Sequence, residues 1–142
     1  MSKLITRVVS FLTATFIATS VQAADPVKVV YHVMDTDSQA MLALGNIRNH
    51  LRADPSVKIV VVALYKGIDF MISGKTDAKG NPWSQRVEDL AAAGVDFRVC
   101  RNTMDFFKVT PDMLLSEARM VPSGVAEIAR LQAQEGYVYI KP

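Results

Sequence analysis

"VKVVYHVM", residues 27 to 34, is almost continuously apolar and rich in β-branched side chains. Successive side chains of a strand point to opposite sides of the sheet, so a strand with one wet face alternates polar and apolar residues. A strand that is apolar throughout has protein on both faces. The stretch therefore predicts a strand of a parallel sheet. "VKIVVVALY" (57–65) repeats the pattern more strongly. Between the two, "DTDSQAMLALGNIRNHLRADP" places Met41, Leu44, Ile47 and Leu51 at helical spacing. Asp35, Asp37 and Ser38 are candidate N-caps, and Asp54-Pro55 is the stop. Strand, helix and strand make one β-α-β unit, and the remaining chain continues it.

"KGIDFMISGKTDAKGNP" (66–82) reads as a long loop. Asn81-Pro82 then has the form of an N-cap followed by proline at the first helical position, with Val87, Leu90 and Ala91 inward and Gly94 as the stop. "VDFRVC" (95–100) is the third strand. Asn102 or Thr103 is predicted to cap a short helix over "MDFF", and Thr110-Pro111 a second over "DMLLSEA". "RMV" (119–121) is a short fourth strand. Ser123 caps a last helix through Val125, Ile128, Ala129 and Leu131, which Gly136 ends before strand five, "YVYIK" (137–141). Strands alternating with helices predict the α/β class: a flavodoxin-like doubly wound, mostly parallel five-stranded sheet with helices on both faces.

The 142 residues, half hydrophobic and 21% charged, suit one compact domain. Lys3 and Arg7 precede the short apolar run "VVSFLTATFIA" (8–18), and small residues stand at Val21 and Ala23. This is the pattern of a signal peptide over residues 1–23, cut after Ala23, with a domain over 24–142 and a periplasmic or secreted location. The apolar run falls short of the about 20 residues that span a bilayer, so no membrane attachment is expected after cleavage. Without the signal, 14 Lys and Arg balance 14 Asp and Glu. That balance, and the lack of a basic cluster with interleaved aromatics, exclude a nucleic-acid footprint.

A single cysteine excludes an internal disulfide, a CxxC redox pair and a cysteine-based zinc site. Gly67, Gly74 and Gly80 form neither GxGxxG nor GxxxxGK[ST], so no dinucleotide or triphosphate cradle is expected. Asp35 and Asp37 would make a carboxylate pair for a metal, but N-capping explains them more simply. Neither a metal nor a cofactor is expected.

In open α/β sheets the ligand site lies beyond the carboxyl ends of the strands, where helix N-termini converge. Cys100 ends the third strand just before a helix. The helix dipole, and Arg98 two residues back on the same strand face, would both favour the nucleophilic thiolate. The alternative is a buried, inert core thiol. His32, inside the first strand, and His50, near the end of the first helix, are not placed as a base for Cys100, which argues against a Cys-His hydrolase. His32 is expected to be a satisfied core histidine, and His50 a residue favoured by the helix dipole. Tyr137 and Tyr139 alternate and are expected to line one side of the sheet. The loop from Lys66 to Pro82 is the second candidate, for ligand binding or subunit contact. Its apolar part, "IDFMI", is expected to pack on the domain or on a neighbouring subunit.

"KVVYHVMD", "NIRNHL", "IVVVAL" with "GIDF", "GVDFRVCRNTM" and "VPSGVAEIARLQAQEGYVYIKP" together resemble the DsrE/DsrF-like family of small sulfur-metabolism proteins. The likeness is greatest to its secreted single-cysteine members and covers nearly the whole mature chain. It implies a flavodoxin-type subunit of a homo-oligomer, trimer or hexamer. It also implies sulfur relay through a persulfide on a strand-end cysteine, with a sulfur donor or acceptor protein as partner. Cys100 is the position that inherits this role, with Arg98, Asn102 and Thr103 in support. An active protein of this kind is a sulfur carrier or transferase. The alternative is a non-catalytic oligomeric subunit that binds a small ligand or serves structurally. One departure is "LYKG" after strand two, where the resemblance leads one to expect a His-Gly turn.

Overall fold

The computed structural model describes residues 25–142, and the expected signal peptide, 1–23, lies outside the described residues. Five strands form one sheet: β1 (Lys28–Asp35), β2 (Lys58–Lys66), β3 (Asp96–Cys100), β4 (Ala118–Val121) and β5 (Val138–Ile140). Their order is β4-β3-β2-β1-β5, and every pairing is parallel. Four helices connect them: α1 (Met41–Ala53), α2 (Trp83–Ala92), α3 (Arg101–Phe107) and α4 (Gly124–Glu135).

The winding follows from the handedness of parallel crossovers, which are nearly always right-handed. The chain steps from β1 to β4 in one direction, so α1, α2 and α3 fall on one face. It then returns across the whole sheet to β5, so α4 falls on the other. On the first face Val29, Tyr31, Val33, Ile59, Val61, Ala63, Phe97 and Val99 pack beneath Leu44 and Ile47, Trp83, Val87 and Leu90, and Met104. On the second, Val30, Val60, Val62, Leu64 and Cys100 pack beneath Ile128 and Leu131. β1 and β2 are thus apolar on both faces, as their sequences require. The order is not the 2-1-3-4-5 of flavodoxin itself, but it is wound by the same rule, with a single reversal after β4.

The apolar part of the long loop packs on its own domain. Ile68, Phe70 and Met71 are wholly buried, and the Phe70 ring stands edge-on to Trp83 and Phe97, at 6.1 and 6.4 Å between centroids. The helix expected over "DMLLSEA" is only a turn at Pro111–Met113. The loop competes for this backbone: Leu115 N–H donates to Met71 O at 2.9 Å, and Ile72 bridges Leu114. Asn81 does not cap α2. Pro82 holds the cap position, while the Asn81 amide donates to both oxygens of Asp77, at 3.2 and 3.1 Å. Asp35 does cap the helix that follows β1, accepting from Ser38 N–H at 2.8 Å, and a π turn over Thr36–Ala40 leads into α1. Ser123 caps α4 as expected, and Gly136 ends it in a left-handed conformation.

Candidate functional site

Two neighbouring strands leave the sheet toward opposite faces: β3 runs into α3, and β4 into α4. Such a switch point opens a crevice at the carboxyl ends of the strands, and ligand sites of open α/β sheets form there. Cys100 ends β3 at this point, in register with Val121 at the end of β4. α3 begins at once, with Cys100 itself in the cap position rather than Asn102 or Thr103. Those two residues instead contribute main-chain N–H groups toward the sulfur.

Cys100 is only 4% exposed. Burial pushes its thiol up, but nearby donors more than offset this: Gly124 N–H, the Thr103 hydroxyl, Thr103 N–H and Asn102 N–H hold the thiol below its ordinary range. Donors from the starts of two helices thus meet at one sulfur. Gly124 makes the convergence possible, because a Cβ there would lie 2.6 Å from Leu64 Cγ. Without one, the first turn of α4 rests on β2 and brings its N–H to the thiol.

The thiol forms the floor of an open cleft of about 330 Å³, lined by Leu64, Tyr65, Asn102, Thr103, Phe106, Phe107, Ser123 and Val125. No lining residue is charged. Phe106, Val125 and Tyr65 are exposed on the rim, and the Phe107 ring lies 5.4 Å from Tyr65 and 4.9 Å from Phe106. A shielded thiol with a lowered pKa beneath an apolar mouth is disposed to react as its thiolate.

Arg98 shares the α4 face with Cys100, but it does not lend the thiol its charge. Its guanidinium is held by Asp96, at 2.6 and 3.1 Å, and by Glu127. Asp96 also pairs with Arg119 at 2.7 Å, and Glu127 with Arg130 at 2.8 Å. The chain of charges ties the first turns of α4 to β3 and β4. Arg98 is thus anchored between β3 and α4. The expected cation at the thiol is replaced by N–H dipoles.

Neither histidine lines the cleft. His32 Nδ1 bonds the Tyr139 hydroxyl at 2.8 Å, yet Nε2 is buried with no partner, so this histidine is satisfied at one nitrogen only. Burial, and then Lys141, hold its pKa below the usual histidine value. His50 Nδ1 bonds the Tyr31 hydroxyl at 3.1 Å in the last turn of α1. Tyr139 against His32 and Tyr137 against the core under α4 share one face of the sheet, as their alternation predicts.

The long loop and the start of α2 line a second cleft, of about 640 Å³, through Thr76, Lys79 and Asn81 and through Trp83 and Arg86, together with Asp37 and Met41. Asp77 in its wall is committed to the loop, accepting from the N–H groups of Lys79 and Asn81 at 2.9 Å each. Its carboxyl is held below the usual range, mainly by the Asn81 side chain. Asp35 is the helix cap, and Asp37 faces this second cleft. Among the described residues no group of three or more His, Cys, Asp or Glu is placed to hold a metal ion, and no helix is long and apolar enough to cross a membrane.

Sequence reasoning missed Gly124 and Tyr65. A glycine directly after a capping serine was a signal for the first, since glycine there permits close approach. Nothing in the sequence marked the second.

A single parallel α/β domain with one cysteine at its switch point defines the class of protein. The chain matches the DsrE/DsrF-like family over residues 13–142, and it belongs to that family. Among solved structures it is similar to MTH1491 from Methanobacterium thermoautotrophicum, a protein described as of unknown function. The two are 34% identical with a TM-score of 0.74, over 82% of this chain and 99% of that one. The ychN protein of E. coli shares the fold at 12% identity and a TM-score of 0.65, over 84% of this chain and all of the other. No curated protein matches the sequence closely enough to carry a function across.

Proposed function

We propose that this is an exported sulfur-relay protein that carries sulfane sulfur as a persulfide on Cys100. The observation that supports the reading is the thiol itself: one cysteine at the switch point, facing four hydrogen-bond donors at the floor of an apolar cleft. The Cys100 thiolate attacks the outer sulfur of a donor R–S–SH. A new S–S bond forms at Cys100, the donor S–S bond breaks, and R–S⁻ leaves, so the transfer consumes no oxidant. An acceptor thiolate then attacks the outer sulfur of Cys100–S–SH, and the Cys100 thiolate returns. Amide and hydroxyl donors stabilise the sulfur anion in each resting state, while the uncharged lining keeps water from competing.

The exposed rim of Tyr65, Phe106, Phe107 and Val125 supports a homo-oligomer, trimer or hexamer, or a partner that docks over the cleft. The test is to load the protein with a low-molecular-weight persulfide and weigh the Cys100 peptide. Gain of one sulfur atom, absent in a folded Cys100→Ser variant, supports the relay; loading that survives the substitution sinks it.

The cleft beside the long loop favours a second reading, a module that binds a small ligand between Arg86 and Asp37. Its distinguishing result is ligand binding that survives Cys100→Ala and is lost on changing Arg86.

A further inference from the structure

β2 parts from β3 before its own end, since the last registered pair is Ala63 with Val99. The chain then turns sharply. Gly67 N–H donates to Leu64 O and to Met34 O, both at 2.9 Å, and a Cβ on Gly67 would lie 2.2 Å from Val33 O. Entering that turn puts Tyr65 in the left-handed region, at φ 50°, which a non-glycine residue adopts only when its surroundings impose it. Tyr65 N–H has by then lost its place in the sheet, and a donor there needs another acceptor. It finds one in α3: Tyr65 N–H donates to Thr103 Oγ1 at 3.1 Å.

A hydroxyl has one proton, which rotates to suit its neighbours. In a helix a threonine commonly turns that proton back to a main-chain carbonyl one turn earlier. Here the oxygen is pinned from one side by Tyr65 N–H, and Thr103 and Cys100 line the same cleft wall. We propose that Tyr65, through its main chain, is a positioning residue of the site: its N–H fixes the Thr103 hydroxyl so that the O–H proton faces the Cys100 sulfur. The role belongs to the Tyr65 backbone and not to its ring, and it couples the turn after β2 to the nucleophile on β3. The inference rests on the proposed thiol chemistry at Cys100.

The test uses the full chain and two readouts: the iodoacetamide rate of Cys100 against pH, and hydrogen exchange at the Tyr65 amide. Thr103→Val keeps the side-chain shape and removes the hydroxyl. It is expected to lower the neutral-pH rate about tenfold, the loss of one hydrogen bond to a charged sulfur, and to deprotect the Tyr65 amide. Thr103→Ser is expected to restore both. A Thr103→Val protein that exposes the Tyr65 amide but keeps the parent pH profile overturns the proposal, because the proton then serves a carbonyl. Failure of Thr103→Ser to rescue also overturns it. Neither readout uses sulfur loading, so a parent protein that shows these responses but takes up no sulfur upholds the positioning while refuting the relay.

Discussion

Gly124→Ala tests whether the start of α4 is held against the sheet closely enough to serve the thiol. The added Cβ would lie 2.6 Å from Leu64 Cγ and 2.9 Å from Cδ2, and Leu64 is itself buried in the core under α4. Cγ is not the free end of a side chain, so either Leu64 leaves its rotamer or the first turn of α4 lifts. Overpacking of this kind costs about 1–3 kcal/mol. Alanine returns up to about 1 kcal/mol of helix propensity, and less at a first helical residue than at an interior one. The balance is a loss of about 1–2 kcal/mol. With a urea m-value of about 1–3 kcal/mol/M, the unfolding midpoint should fall by about 0.5–1 M at unchanged m. Lifting α4 also withdraws the Gly124 N–H from Cys100, so alkylation at neutral pH should slow. Leu64→Ala in the Gly124→Ala background should cost less than it does alone, because the space it opens relieves the clash. A Gly124→Ala protein as stable as its parent, with unchanged alkylation, would refute the reasoning.

Three further outcomes follow from the same geometry. Arg98→Ala leaves Glu127 paired with Arg130 and Asp96 with Arg119, so it should cost about 2 kcal/mol rather than the about 3–5 kcal/mol of a stranded buried charge. The pH profile of Cys100 alkylation should not move; a clear rise in the apparent thiol pKa would restore Arg98 as a direct partner. Lys108 ends α3 at φ 59°, so Lys108→Gly should raise stability by about 1 kcal/mol in thermal unfolding, and a lowered midpoint would contradict the strain. His32 has its pKa held below 6.5, so the unfolded chain binds the extra proton first, and the stability from a neutral His32 is complete above 6.5. That stability is lost as pH falls from 6.5 through the lower folded value. His32→Phe should flatten the dependence of unfolding on pH in that window, and an unchanged slope would count against it.

Much of the fold was legible because burial on both faces writes itself into sequence: β1 and β2 could be read from unbroken apolar runs, and α1, α2 and α4 from helical spacing with Ser123 and Gly136 at the ends of α4. The turn at Pro111–Met113 was not legible, since "DMLLSEA" has helical composition and only the long loop, arriving from far away in sequence, claims its backbone. Asn81 misled for a similar reason: its amide serves Asp77, four residues earlier, instead of a helix end. Cys100 could be placed at a strand end from its local sequence alone. What surrounds it could not, because Gly124 reaches the sulfur only after the chain reverses direction past β4. Arg98 shows the complement: a cation two residues from a thiol looked like a partner until Asp96 and Glu127 were seen to hold it. The left-handed Tyr65 had no signal, since it is imposed by the crossing of Gly67 over Val33.

The central claim is that Cys100 is a reactive thiol and not core filling. The measurement that tests it most directly is the alkylation rate of Cys100 against pH, in native and in unfolded protein. The structure predicts that a small alkylating agent reaches the native thiol through the cleft, with an apparent pKa below that of the unfolded chain. A thiol that reacts only after unfolding would contradict the account and shift attention to the cleft beside the long loop.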